Sequence, residues 1–309
     1  MRTVVIGGQG FIGAEVAKSL LKRGDYVTIA DRAADRLRCD KLFGAGNVRV
    51  SSVDILDKVS LRHLLRGADE VYHMAGKLGT SELDDQVVAG IEVNITGAVN
   101  VFDACLAADV PTVFYPSKPN VWLNTYTITK FASEQFARLY NETRNIRICS
   151  LRYFNAYGPN QALGPVRKII PTFARQASRG RPIEIFGDGE QVVDMIFSED
   201  LGRITVDFMR SGNKGAPLDC GRGIRMTVNQ VAAEVNRHFR NKSGVMYLPM
   251  RRGETPCTTL VADIAPLRAV LRNLEFSDWE SSFAETLDWY AALDESVIEP
   301  VPAVLSVAG

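Results

Sequence analysis

Two side chains in this sequence are spaced to move a proton together. Tyr126 is the one tyrosine of nine with a lysine four residues on, Lys130, in the segment YTITK. On a helix these two share a face. An ammonium beside a phenol favours the phenolate, so the spacing predicts a tyrosine pKa below its ordinary value of about 10. Such a group can take or give a hydroxyl proton while the carbon bearing that hydroxyl is oxidised or reduced. Taken alone the pattern is weak, and surface packing explains most such pairs. Its force comes from what precedes it.

GGQGFIG at 7–13 lies between a strand-like run, TVVIG, and a helical one. Gly7 can make the tight exit from the strand. Gly10 lets a pyrophosphate approach the backbone, and Gly13 lets the helix lie close to the sheet. Phe11 and Ile12 then present N–H groups at the helix start, where the dipole favours phosphate. The second strand ends at Asp31, placed to accept from the adenine ribose hydroxyls and to repel a 2′-phosphate. That favours NAD, although Arg32 next to it softens the preference. Asp54 and Ile55 close the third strand within reach of the adenine. Met74, Ala75 and Gly76 close the fourth, where small residues admit the cofactor. His73 reads as a packed strand histidine.

The elements that must hold these residues alternate. Strands are predicted at 3–7, 26–30, 48–54, 70–76, 111–116 and 146–154. Helices are predicted at 11–23, near 57–66, at 86–108 and at 126–143. This rhythm implies an α/β fold, a Rossmann-type doubly wound parallel sheet. After residue 155 Gly, Pro and Arg become frequent. Residues 1–155 are therefore expected to form the NAD-binding domain. Residues 156–292 would be mainly a smaller α/β substrate lobe with segments returning to the main sheet, and 293–309 a loose tail.

Bulk composition narrows the classes. Lys+Arg and Asp+Glu both number 36 in 309 residues, so nothing favours nucleic acid or anionic membrane as a partner. The five cysteines (39, 105, 149, 220, 257) form no CxxC pair, and the three histidines are scattered, so neither a disulfide framework nor a metal site is expected. No secretory leader is read at the start, and no run is read as long enough to cross a bilayer. The reduced cytoplasm is the expected setting.

In the order GGQGFIG, Asp31, VYHMAG, VNITGAVNVFDAC, YTITK, LRYFNAYGP, PIEIFGDGEQVVDMIFSEDL and RRGE, residues 2–292 resemble the extended short-chain dehydrogenase/reductase family. The similarity is to its NAD-dependent nucleotide-sugar epimerases and dehydratases. The resemblance implies tightly held NAD under a sugar-nucleotide lobe, with a UDP-sugar favoured. Tyr126 would be the acid/base, and Lys130 would hold the nicotinamide ribose and tune Tyr126. Asn94 would join the cofactor contacts, and Tyr153 and Phe154 would line the nicotinamide pocket. Asn155 would meet the substrate diphosphate, and Arg251 the nucleotide end. The helices at 86–108 and 126–143 would pack against a second copy as a homodimer.

Three departures concern the substrate. The family's Ser or Thr that bonds the reacting sugar oxygen falls at Lys118. Either Lys118 donates there as a cation, or a shifted loop lets Ser117 or Thr125 supply the hydroxyl. The loop before Tyr126 is short, so the segment 77–83 is a candidate to fill the pocket, with Lys77, Thr80 and Ser81 as sugar contacts; Ser or Thr there could equally cap a helix. Val193 replaces an arginine that clamps the diphosphate, leaving Arg167, Lys168, Arg222 or Arg251 to compensate. The leading expectation is epimerisation through transient oxidation to a keto sugar. Lys118-Pro119 stand where dehydratases carry Asp-Glu, which argues against that route. Decarboxylation, ketone reduction and non-catalytic NAD binding are the alternatives.

Overall fold

The computed structural model describes residues 1–213 and 215–293. The segment RTVVI forms β1 (Arg2–Ile6), whose last four residues are all buried, as a central parallel strand requires. β2 (Tyr26–Asp31) and β3 (Val48–Ser52) lie on one side of it, and β4 (Glu70–His73), β5 (Thr112–Phe114) and β6 (Arg147–Cys149) on the other. All six pair in parallel in the order β3-β2-β1-β4-β5-β6. The order reverses between β1 and β4, which opens a crevice at the carboxyl ends of the strands. The expected doubly wound sheet is therefore present.

Helices α1 (Phe11–Lys22), α2 (Arg36–Phe43) and α3 (Lys58–Leu65) connect the first strands. No apolar periodicity announces α2. It starts because the Asp35 carboxylate accepts from the Leu37 and Arg38 N–H groups. The expected single helix at 86–108 is three pieces: α4 (Val87–Ile91), a π-turn at Glu92–Thr96 and α5 (Gly97–Ala107). With its leading turn, this 24-residue stretch from Asp84 to Ala107 is long and apolar enough to span a membrane by length and composition, which corrects the sequence reading. Its inner side nevertheless carries the buried, hydrogen-bonded Asn94 and Asn100. α6 (Thr125–Thr143) follows β5.

The strand expected at 146–154 breaks at Ser150. Its second half is β7 (Leu151–Tyr153), followed by β8 (Asn155–Tyr157). Beyond lie α7 (Ile169–Ser178), β9 (Ile183–Phe186), β10 (Val192–Val193), β11 (Met195–Phe197), α8 (Ser198–Arg210), β12 (Leu218–Cys220), β13 (Met226–Thr227), α9 (Val228–His238), β14 (Val245–Leu248), α10 (Ala265–Val270) and α11 (Trp279–Ala291). β7 pairs with β12, β8 with β11 and β9 with β14 in parallel, and β10 with β13 antiparallel. Leu201, Ile204 and Phe208 of α8 share one core with Val5 and Ile29, whereas Ile170, Ile183, Val231 and Phe283 form a separate one. Apart from Leu293, the expected tail lies outside the described residues.

Arg210 at the end of α8 fastens the long return to the sheet. Its guanidinium bonds Glu70 at 2.9 Å and Asp25 at 2.7 Å, and both carboxylates are nearly inaccessible. Arg210→Met would leave Glu70 buried with no cation, and Asp25 with only the amino terminus (3.0 Å). Removal of one partner from a buried pair costs about 3 kcal/mol or more. Urea unfolding should show that loss; a change below about 1 kcal/mol would show that water replaces the guanidinium.

Candidate functional site

A cleft of about 870 Å³ runs along the carboxyl ends of β1, β2 and β4 and under the later segments. Gly7, Gly10, Phe11, Ile12, Gly13, Asp31, Arg32, Asp54, Ile55, Met74, Ala75, Gly76 and Tyr153 all line it. Gly7 has φ +78°, and a Cβ there would lie 2.5 Å from the Ala75 nitrogen. A Cβ on Gly13 would lie 2.2 Å from the Gly7 carbonyl oxygen. Strand, turn and helix thus meet with room for backbone alone. α1 starts at Gly10 with no side-chain cap and no acidic residue in its first turn, so its positive end is left for an anion. Asp54 accepts from the Leu56 N–H at 2.9 Å, and the Ile55 carbonyl accepts from Asn100 at 3.1 Å, which fixes the far wall. A cradle that a Cβ would fill, a free helix start and a carboxylate at the end of β2 fit NAD. The diphosphate would lie across Gly10–Ile12, and the adenosine ribose at Asp31.

Asn94 does not line the cleft. Its amide accepts from the Lys77 N–H at 2.7 Å and donates to the Lys77 carbonyl and to Thr129 Oγ1, both at 3.0 Å. It therefore clamps the loop after β4 onto α6 and acts by positioning.

α6 is held by its polar side. Asn124 caps it through the Thr127 N–H at 2.8 Å, and Ser133 donates to the Asn94 carbonyl at 2.6 Å. Tyr126 and Lys130 both face the cleft. Lys130 Nζ lies 4.0 Å from the centre of the Tyr115 ring. Burial pulls Lys130 down to about 7, with Glu134 opposing and Lys118 adding to the effect. Burial pushes Tyr126 up to about 12 in the cofactor-free cleft, opposite to the lowering expected from an ammonium beside it. Desolvation of the phenolate sets this direction.

The three candidates for the sugar-oxygen donor separate. Ser117 lines the cleft, but its hydroxyl donates at 2.5 Å to the buried Glu134, which also takes Arg152 at 2.7 and 3.1 Å. Thr125 lies outside the cleft lining, its N–H held by Asp84 at 2.8 Å. Lys118 lines the cleft, with Nζ 5.8 Å from the centre of the Tyr126 ring and 5.4 Å from that of Trp122. It donates to the Pro119 carbonyl and to Thr127 Oγ1, both at 2.8 Å. Burial and then Lys168 pull its pKa down to about 8.

Toward the other end, Lys77, Thr80, Phe154, Asn155, Arg167, Lys168 and Arg251 line the cleft, and so does Val193. Arg167 bonds Glu184 at 2.5 Å, while Arg251 bonds Glu82 at 3.0 Å and approaches Glu254 at 3.5 Å. Ser81 and Arg222 do not line it. The Ser81 carbonyl accepts from Arg252, and the Arg222 guanidinium lies 5.8 Å over Trp279. His73 is buried in β4 with Nδ1 unpartnered, and burial pulls it down to about 3, leaving it neutral. Sequence reasoning missed Glu134 and Trp122. Glu134 was accessible, since it continues the four-residue spacing of Tyr126 and Lys130 along one helix face. The Trp122 indole is fixed by a bond to Thr258 Oγ1, 136 residues away, which no local pattern announces.

Comparison with known proteins agrees with this geometry. The model of the NAD dependent epimerase/dehydratase family matches residues 3–221. The chain is 27% identical to a UDP-N-acetyl-alpha-D-glucosaminuronate decarboxylase of Bacillus cytotoxicus, over 95% of this chain and 98% of that protein. The structure of UDP-N-acetylglucosamine 4-epimerase from Methanobrevibacter ruminantium M1 in complex with UDP-N-acetylmuramic acid matches with a TM-score of 0.84. It shares 25% identity and covers 94% of this chain and 97% of its own. UDP-glucuronic acid 4-epimerase from Bacillus cereus, in complex with UDP-glucuronic acid and NAD, matches with a TM-score of 0.85. At 23% identity and 94% and 99% coverage, it attests the fold.

The two buried amines set a pH dependence. Folding lowers Lys130 to about 7 and Lys118 to about 8 from an ordinary 10.5. Between those values and 10.5 the unfolded chain holds more protons, so stability rises with pH there and the penalty is complete below pH 7. Urea unfolding of the cofactor-free protein should therefore show a smaller gain from pH 7 to pH 9 in Lys118→Met/Lys130→Met than in wild type. Equal gains would mean that water or counter-ions reach both amines.

Proposed function

The chain belongs to the NAD dependent epimerase/dehydratase family, and on that premise we propose that it epimerises a nucleotide-activated sugar by transient oxidation of one carbinol carbon. One observation carries the reading: Tyr126 and Lys130 open into the same cleft as the glycine turn between β1 and α1. Bound NAD supplies a place for a hydride to go and to return from. The chain's own contribution is proton handling and exclusion of water. Tyr126 Oη would take the proton of the sugar hydroxyl as phenolate and give it back as phenol. The phenol of the cofactor-free cleft, pushed up to about 12 by burial, would first lose its own proton to solvent, a loss that the positive charge of bound NAD⁺ would favour. Lys130 holds the cofactor ribose, and Glu134 keeps the amine in place through opposite charge. Arg167, Lys168 and Arg251 receive the diphosphate, in place of the arginine that Val193 replaces.

Decarboxylation of an acidic sugar is the second reading, favoured by the decarboxylase relative. A panel of UDP-, GDP- and dTDP-sugars, with a UDP-sugar favoured, separates the two. Appearance of a stereoisomer without net change in nicotinamide absorbance supports epimerisation, whereas carbon dioxide release or stoichiometric NADH would overturn it. Tyr126→Phe should lower turnover by roughly a hundredfold or more and leave NAD binding nearly unchanged. Surviving turnover would remove Tyr126 from its role.

We propose a homodimer through the outer sides of α4 and α6. Val87, Val88 and Ile91 on the first, and Ile128, Phe131, Phe136 and Leu139 on the second, are exposed. Such a stripe is unusual for a face meant to meet water. Light scattering should report a dimer that Phe131→Glu converts to monomer; a wild-type monomer at micromolar concentration would overturn the assignment. All five cysteines are free thiols, which supports a reducing compartment such as the cytoplasm.

A further inference from the structure

The basic groups at the substrate end are not equivalent. Arg167 is balanced by Glu184, and Arg251 by Glu82 and Glu254. Lys168 stands among Arg251, Glu82 and Glu254. These three serve the diphosphate end. Lys118 is different. Among the described residues no carboxylate forms an ion pair with it, and its two hydrogen bonds go to neutral oxygens, the Pro119 carbonyl and Thr127 Oγ1. An ammonium has three donors, so one is left over. The charged side chains coupled to it are those of Lys168 and Lys130, both amines that repel it when protonated. The Trp122 and Tyr126 rings form its remaining walls.

A desolvated cation flanked by cations is costly unless an anion completes it. The fold nevertheless holds it rigidly: one hydrogen bond goes to its own loop and one to α6. Its Nζ stands 5.8 Å from the centre of the Tyr126 ring, beside the side chain assigned to proton transfer. The family's usual occupant of this position is a neutral hydroxyl, which would carry no such requirement.

From this we infer that Lys118 is the receptor for a carboxylate carried by the sugar, so that the substrate is a nucleotide-linked acidic sugar. The inference rests on the nucleotide-sugar reading above and adds the chemical class of the sugar. A carboxylate between Lys118 and the phenol side of the cleft would form a charge-assisted bond with the free N–H and offset the repulsion from Lys130 and Lys168. Near neutral pH the amine is still largely charged, so the pairing needs no prior protonation. Trp122, pinned at 3.2 Å to Thr258, shields the pair from water.

The test compares UDP-glucuronate with UDP-glucose on the NAD-loaded enzyme, by steady-state kinetics and by calorimetry. Wild type should favour the acidic sugar in kcat/KM and in affinity by at least about tenfold. In Lys118→Met and Lys118→Gln that ratio should collapse through a rise in KM for UDP-glucuronate, and Lys118→Arg should restore part of it. Two variants guard against a folding defect in either. A wild-type enzyme that does not discriminate, or a preference that survives both variants, overturns the proposal. So does an equal loss of kcat on both sugars, which would make Lys118 a donor to the reacting oxygen. Turnover of both sugars without preference overturns this inference alone. Preferential binding of UDP-glucuronate, with no turnover of any sugar in the panel, sinks the epimerase reading alone.

Discussion

The site depends on a helix that is folded inside out. α6 buries Thr125, Thr127, Thr129, Lys130, Ser133 and Glu134 and exposes Ile128, Phe131, Phe136 and Leu139. Ordinary amphipathic helices do the reverse. A polar inward face is stable only if each group finds a partner, because an unsatisfied buried polar atom costs about 1–3 kcal/mol. Here partners are found. Thr129 meets Asn94, Ser133 meets the Asn94 carbonyl, Thr127 meets Lys118, and Glu134 meets Ser117 and Arg152. These bonds set the height and rotation of the helix, and therefore where Tyr126 and Lys130 emerge. The exposed apolar side is the complement of the same arrangement.

Asn94 shows how far that dependence reaches. It sits in the π-turn between α4 and α5. One amide side chain is bonded to both the N–H and the carbonyl of Lys77, and to α6. The loop that closes β4 beside the cofactor cradle and the helix that carries the proton-transfer pair are thus aligned by one residue. Neither wall can shift without breaking a buried bond on the other.

Legibility in the sequence followed the range of the forces involved. The six strands of the main sheet, the helices after β1 and β5 and the glycine turn were readable, because their signals are local: β-branched runs, 3.6-residue spacing and a glycine where Ala75 leaves no room for a Cβ. The NAD dependence and the family follow from that half. β10 through β14 were not readable. They are two to four residues long, and their pairings join segments tens of residues apart, so no alternation is long enough to count. Among site residues the spacing placed Tyr126 and Lys130 on one face, yet it carried no sign of the burial that raises the tyrosine in the cofactor-free cleft. Spacing reports proximity; burial depth, which decided the sign, is a tertiary quantity. Thr80 and Ser81 are neighbours in sequence, and only Thr80 faces the cleft, a distinction made by one turn of loop.

The departures from the family pattern are coupled through charge. Val193 removes a cation from the diphosphate end, whereas Lys118 adds one at the reacting end. The cleft therefore keeps a positive side chain near Tyr126. Charge on a ligand that lies in this cleft would have to be distributed to match. Arg167 and Arg251 are already paired with glutamates and Lys168 stands among Arg251, Glu82 and Glu254, whereas among the described residues no carboxylate pairs with Lys118. The Lys168 charge adds to burial in lowering Lys118, and the Lys118 charge adds to burial in lowering Lys130. The same consideration explains why Glu134 is spent on Ser117 and Arg152 and acts on Lys130 through space. A protein carboxylate paired directly with Lys118 or Lys130 would favour the charged form of that amine and raise it from its lowered value.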